Sequence, residues 1–174
     1  MGEAIPPTGV GECSNRKWEI MKKLDLAYIA GLFDGEGCIR ITRSKSKTYR
    51  TRIAHRIECQ LSMANAFLPK LFQFHFGGNY GGKKVKEGNQ SQWYWMVTSF
   101  TAAEFLKAIL PYLKIKREEA KLALDFQKRI PPRGTHKLTT DDDFVLREAD
   151  FILMKSLKRK ADADSAIAKQ EYRK

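Results

Sequence analysis

The chain has 174 residues, a mass of 20.0 kDa and 43% hydrophobic residues, which suits one domain with its own core and argues against two. Its 32 Lys and Arg against 20 Asp and Glu leave a net charge of +12, a surplus that points to a polyanion such as nucleic acid or an anionic membrane surface. Against insertion in a membrane, no run approaches the ~20 apolar residues of a spanning helix and no secretory signal opens the chain, and Cys13, Cys38 and Cys59 lack a Cys-x-x-Cys pair, so a soluble intracellular protein with free, mostly buried thiols is expected.

Residues 1–22 contain Pro6-Pro7, Gly9 and Gly11 with Trp18 as the one large anchor, and read as an extended, partly disordered lead-in. Residues 26–37 then form the most pointed segment. Leu26, Ile29, Ala30 and Phe33 recur at helical spacing, while Ala27, Ala30 and Gly31 offer a smooth face that lets a second helix approach closely. The helix stops in Asp34-Gly35-Glu36-Gly37, where glycines accept the backbone angles of a helix end and two carboxylates gather. Acids at a helix C-terminus oppose the macrodipole unless a cation offsets them. A hard divalent ion finds oxygen ligands in such a place.

Residues 38–43 alternate apolar and polar side chains, as a half-buried strand does, and residues 44–48 make a basic turn. A second strand follows over residues 49–61, with Ile53, Ile57, Cys59 and Leu61 on one face and Arg50, Arg52, Arg56, Glu58 and Gln60 on the other. Arg43 and His55 break the alternation, which places them at strand ends or a bulge. A core helix covers residues 65–76, with Pro69 tolerable near its start. The glycines of residues 77–82 open a third short strand around residues 83–86, and residues 92–99 form a fourth, where Trp93, Trp95 and Val97 alternate. Thr101 and Glu104 have the spacing of a capping box for a helix over residues 101–113. A further helix spans about residues 116–130, and residues 140–143 cap a last one whose Phe144, Ile152 and Leu153 face the body. The chain thus divides into an N-terminal extension (1–22), a folded domain (23–154) and a basic tail (155–174).

Between Cys38 and Gln60 stand seven Lys or Arg residues and one acid, with Arg40, Thr42, Arg50, Arg52, Arg56 and Gln60 on the even positions. A two-stranded ribbon fits the DNA major groove, where arginine reads guanine and glutamine reads adenine. Ser44, Lys45 and Lys47 in the turn are placed for phosphates, and Glu58, Lys84, Lys86, Gln92 and Tyr94 extend the same face.

Ala30-Gly31-Leu32-Phe33-Asp34-Gly35-Glu36-Gly37 resembles the signature of the LAGLIDADG homing endonucleases position for position, with Glu36 for the more usual final aspartate. The order of elements over residues 24–130 is similar to the family's α-β-β-α-β-β-α unit, so the expected fold is α+β: a four-stranded antiparallel DNA-binding sheet backed by helices, with an extra C-terminal helix. The resemblance implies an endonuclease, intron-encoded, that makes a double-strand break in a long pseudo-palindromic DNA target. It implies Glu36 as the ligand of a Mg²⁺ ion, which Mn²⁺ can replace, with the Gly35 carbonyl assisting and Asp34 and Gln60 in support. A second stretch, residues 110–116, resembles the segment that carries a basic residue near the scissile phosphate, which makes Lys116 the second catalytic candidate and Lys114 its neighbour.

The chain holds one copy of the motif, and cutting both strands needs two active sites, so a homodimer paired through the Ala27, Ala30 and Gly31 face is expected. The departure from the family is Met63, where single-motif relatives carry polar or basic residues; Gln60, Ser62 and Asn65 are the substitutes on offer. Two further readings follow from this. An RNA-binding intron maturase would use the same basic sheet without cutting, and a decayed enzyme would bind DNA alone. The compartment expected is the cytoplasm of a prokaryote or an organelle.

Overall fold

The computed structural model describes residues 23–46, 53–83, 91–131 and 140–171. Its elements, in chain order, are α1 (Lys23–Glu36), β1 (Gly37–Lys45), β2 (Ile53–Met63), α2 (Phe67–Phe76), β3 (Asn79–Lys83), β4 (Gln92–Thr98), α3 (Ser99–Ile109), α4 (Arg117–Lys128) and α5 (Asp141–Glu171). The expected order is therefore observed. The extended lead-in, together with Cys13, Lys47, Arg50, Arg52, Lys84 and Lys86, lies outside the described residues.

The four strands form one antiparallel sheet in the order β1-β2-β4-β3. Odd residues of the two leading strands, Ile39, Ile41, Ile57, Cys59 and Leu61, point into the core, as the period-two pattern requires. Helices cover that face and leave the other wet, the usual division in an antiparallel sheet. At the centre of the core Phe105 of α3 meets Phe33 of α1 edge-on at 4.9 Å, Phe76 of α2 at 4.8 Å and Trp95 of β4 at 4.9 Å. The Trp95 indole satisfies its N–H on the Gly77 carbonyl at 2.7 Å.

Several boundaries move from the sequence expectation for local reasons. The third strand begins at Asn79 and contains Gly81 and Gly82; a Cβ at Gly81 would stand 3.0 Å from the Tyr94 hydroxyl of β4, while Gly82 is in ordinary contact distance of Trp93. α3 starts at Ser99, whose φ of 53° turns the chain directly out of β4, and Glu104 pairs with Lys107 rather than closing a capping box. The box occurs instead at the head of α5, where the Thr140 hydroxyl accepts the Asp143 N–H at 3.1 Å and the Asp143 carboxylate accepts the Thr140 N–H at 3.1 Å.

α5 is also where the expectation needs correction. The helix runs through Lys155 to Glu171, so the basic tail is helical over that stretch; the correction concerns which residues face the body. Ile152 and Leu153, expected on the body, are 57% and 49% exposed; Phe144, Arg147, Phe151, Met154 and Lys158 form the inner stripe instead. This helix runs along β1 from its far end back toward α1. His55 and Arg43, directly paired across β1 and β2 with no bulge, both bind Glu148 of α5, at 2.8 and 2.7 Å. Phe144 and Phe151 pack against the His55 ring, and Arg43 lies over Phe151. The two residues that break the alternation are thus the sheet's docking points for α5.

Candidate active site and nucleic-acid interface

The motif helix α1 is held by Ile29, Ala30 and Phe33, all buried. Ala30 is fully enclosed in this chain's core and cannot lie on a pairing face; Ala27 and Gly31 are exposed, with open space at the position of a Gly31 Cβ. Gly37 is a glycine for a different reason. A Cβ there would stand 2.4 Å from the Phe33 ring and 2.5 Å from the Phe33 carbonyl oxygen, so the strand can leave the helix only without a side chain.

Asp34 is nearly buried and faces the segment that leads into α4. Its carboxylate accepts the backbone N–H groups of Lys114 at 2.7 Å, Ile115 at 3.2 Å and Lys116 at 2.9 Å. No side chain of that segment caps α4, so Asp34 fills the role from 80 residues away, its charge favoured by the N-terminal end of the α4 dipole. The Lys116 ammonium in turn bonds the Asp34 carbonyl oxygen. A cation therefore sits at the C-terminus of α1, which answers the dipole problem that two acids create there. Burial pushes the Lys116 ammonium below the usual lysine range, against the pull of Asp34 and Glu119.

Glu36, the last residue of α1, is exposed, and among the described residues no ion pair neutralises it. No group of three or more His, Cys, Asp and Glu residues gathers among the described residues, so no all-protein metal cage is present there. What the helix end offers is an unpaired carboxylate with exposed backbone carbonyls at Gly35 and Glu36, a set of hard oxygen donors that suits Mg²⁺ sharing its other positions with water and phosphate.

The wet face of the sheet begins immediately beside Glu36. Cys38 stands opposite Gln60, Arg40 opposite Glu58, and Thr42 opposite Arg56. Arg40 donates to Glu58 at 2.7 Å and to Gln60 at 2.8 Å, and Gln60 donates to Ser62 at 2.9 Å. Glu58, expected at the interface, is 4% exposed beneath this arginine and orients it rather than facing outward. Thr42 is tied to the Arg56 carbonyl at 3.3 Å, while Arg56, Ser44, Lys45 and Gln92 are exposed and Tyr94 is half-buried over Gly81. Of the proposed substitutes for the Met63 position, Asn65 is used as a cap on Phe67 N–H at 2.7 Å, and Met63 itself packs against the core. Gln60 and Ser62 remain on the wet face, joined to Arg40.

Sequence reasoning missed Glu148 and Lys158 of α5. Lys158 places its ammonium 2.9 Å from the Cys38 sulfur, next to the motif's end. The available signal for Glu148 was the pair of polar residues, Arg43 and His55, on an otherwise apolar face.

The model of the family described as LAGLIDADG endonuclease matches residues 29–130. The DNA endonuclease I-CvuI of Chlorella vulgaris is 26% identical over 131 residues, 75% of this chain and 76% of that protein. Among solved structures, the homing endonuclease I-CvuI in complex with its target superposes with a TM-score of 0.65 at 22% identity, covering 77% of this chain and 82% of that one. The homing endonuclease I-TnaI superposes at 0.56 and 17% identity, over 79% of this chain and 96% of that one. At such identities these superpositions establish the fold.

Proposed function

The chain belongs to the LAGLIDADG endonuclease family, and from that premise we propose that it is an intron-encoded homing endonuclease that cuts both strands of a long pseudo-palindromic DNA site as a homodimer. The observation that carries the reading is the convergence of Glu36, Asp34 and Lys116 at the end of one helix, beside a basic sheet face. The target of I-CvuI is the DNA precedent among the relatives.

Phosphodiester hydrolysis needs an activated water, neutralised phosphate charge and a stabilised leaving oxygen. Glu36 and the Gly35 carbonyl would hold Mg²⁺, or Mn²⁺ in its place, which supplies charge neutralisation and lowers the pKa of bound water. Lys116, fixed by its two bonds to Asp34, polarises the attacking water and stabilises transition-state charge. Arg40, Arg56, Gln60 and Gln92 read base edges from the sheet, and Ser44 and Lys45 meet phosphates. Twofold pairing of two α1 helices through Ala27 and Gly31 would bring two Glu36 residues to the centre of the site. The protein would act inside a cell, in the cytoplasm of a prokaryote or in an organelle.

Met63 favours one other reading, a protein that binds DNA or intron RNA without cutting, since an apolar side chain packed on the core organises no water at the phosphate. The test is cleavage of a plasmid carrying the uninterrupted allele of the host gene, with Mg²⁺ or EDTA, by wild type and Glu36→Gln. The expected result is a discrete double-strand cut that requires metal and disappears in Glu36→Gln. Tight binding without a cut sinks the nuclease reading and leaves the binder.

A further inference from the structure

Three lysines on the helices are spent locally. Lys107, Lys121 and Lys128 each pair with an acid three residues earlier. Lys158 differs. It comes from α5, beyond the matched segment that ends at residue 130, and its ammonium rests 2.9 Å from the Cys38 sulfur. A thiol is a weak acceptor and cancels no charge. Among the described residues no carboxylate forms an ion pair with Lys158, and the side chain is partly exposed.

The position matters as much as the charge. Cys38 lies two residues after Glu36 and directly opposite Gln60. The sheet's nearest arginine, Arg40, is already held by Glu58. Met63 adds no charge, and Lys116 is engaged with Asp34. We infer that Lys158 is a phosphate-contacting, positioning residue of the cleavage centre: its ammonium, seated on Cys38 beside the end of α1, supplies the cation that the Met63 position lacks. The inference rests on the DNA-cleaving reading above. It has a second electrostatic consequence, because the Lys158 charge adds to burial in pushing the Lys116 ammonium down.

The test uses the full chain and compares wild type, Lys158→Met, which keeps the apolar stem, and Lys158→Arg. Lys107→Met, a lysine already paired with Glu104, serves as control. First, binding of a random-sequence DNA duplex is measured across a KCl series. Loss of one phosphate contact lowers the slope of log affinity against log salt by about 1 in Lys158→Met, while Lys158→Arg and Lys107→Met keep the wild-type slope. Second, single-turnover cleavage of the duplex that wild type cuts falls at least about tenfold in Lys158→Met. Its pH–rate limb moves to higher pH, because Lys116 then holds its proton more tightly.

An unchanged slope in Lys158→Met overturns the inference whether or not the protein cuts DNA. A Lys158→Arg protein that folds yet loses as much as Lys158→Met also overturns it, in favour of a helix-docking role. If wild type cuts nothing, the nuclease reading falls separately, and the salt slope alone decides whether Lys158 meets phosphate.

Discussion

Asp34 and Lys116 hold each other at both ends: the Asp34 carboxylate accepts the Lys116 backbone N–H at 2.9 Å, and the Lys116 ammonium returns to the Asp34 carbonyl oxygen. One acid of the motif is thereby committed to structure, and the other, Glu36, stays exposed. Asp34→Asn replaces a charged acceptor that serves three N–H groups with an amide that serves fewer. The expected loss is about 1.5–3 kcal/mol of stability, read as a lower denaturation midpoint. Cleavage should fall further than DNA binding does, since Lys116 loses its anchor while the sheet face is untouched.

Because burial holds the Lys116 ammonium below the ordinary lysine range, the neutral amine is reached at a lower pH than for a free lysine. Since the ammonium is the form that polarises water and stabilises transition-state charge, the cleavage rate should fall as pH rises, along a limb that lies below the ~10.4 of an unperturbed side chain. Lys116→Met should abolish that limb and leave target binding within a fewfold of wild type. A limb that survives in Lys116→Met would assign it to another group.

The glycines of the motif should respond in opposite ways. Gly37→Ala drives a methyl into the Phe33 ring and carbonyl, and should cost about 1–3 kcal/mol. Gly31→Ala meets open space within this chain and should stabilise the helix by about 0.5–1 kcal/mol. Gly31→Leu goes further: a dimer paired through that face should dissociate, seen as a halved mass in sedimentation, with the circular dichroism of the folded chain retained. A dimer that survives Gly31→Leu is paired elsewhere.

Arg40 stands on the wet face of the sheet in an orientation fixed by Glu58 and Gln60. Glu58→Gln weakens the charge that fixes it. The outcome expected in a duplex-library selection is relaxed preference at one base pair in each half-site, by about 1–3 kcal/mol, with little change elsewhere.

Much of this architecture is legible in the chain. Period-two alternation over Ile39, Ile41, Ile57 and Cys59 fixes which side of the sheet is dry, and helical spacing in Ile29, Ala30 and Phe33 fixes the inner face of α1. Ala30 shows where the reasoning ends, because a small residue suits a helix pair and a crowded core equally well. Glu58 shows it again: alternation assigns it to the wet face, but only cross-strand register reveals that Arg40 covers it. Non-local partners such as Asp34 with residues 114–116, or Glu148 with His55, depend on chain folding that no local spacing records.

The distance along the chain between Cys38 and Lys158 gives the molecule a schedule. The two are 120 residues apart, and at about 5–20 residues per second a ribosome needs roughly 6–24 s to pass from one to the other. During that interval the nascent protein carries Glu36 and the reading strands without α5 along β1. A product that stops before α5 lacks Glu148 and Lys158, so Arg43, His55 and Cys38 stand without their α5 partners until synthesis reaches them.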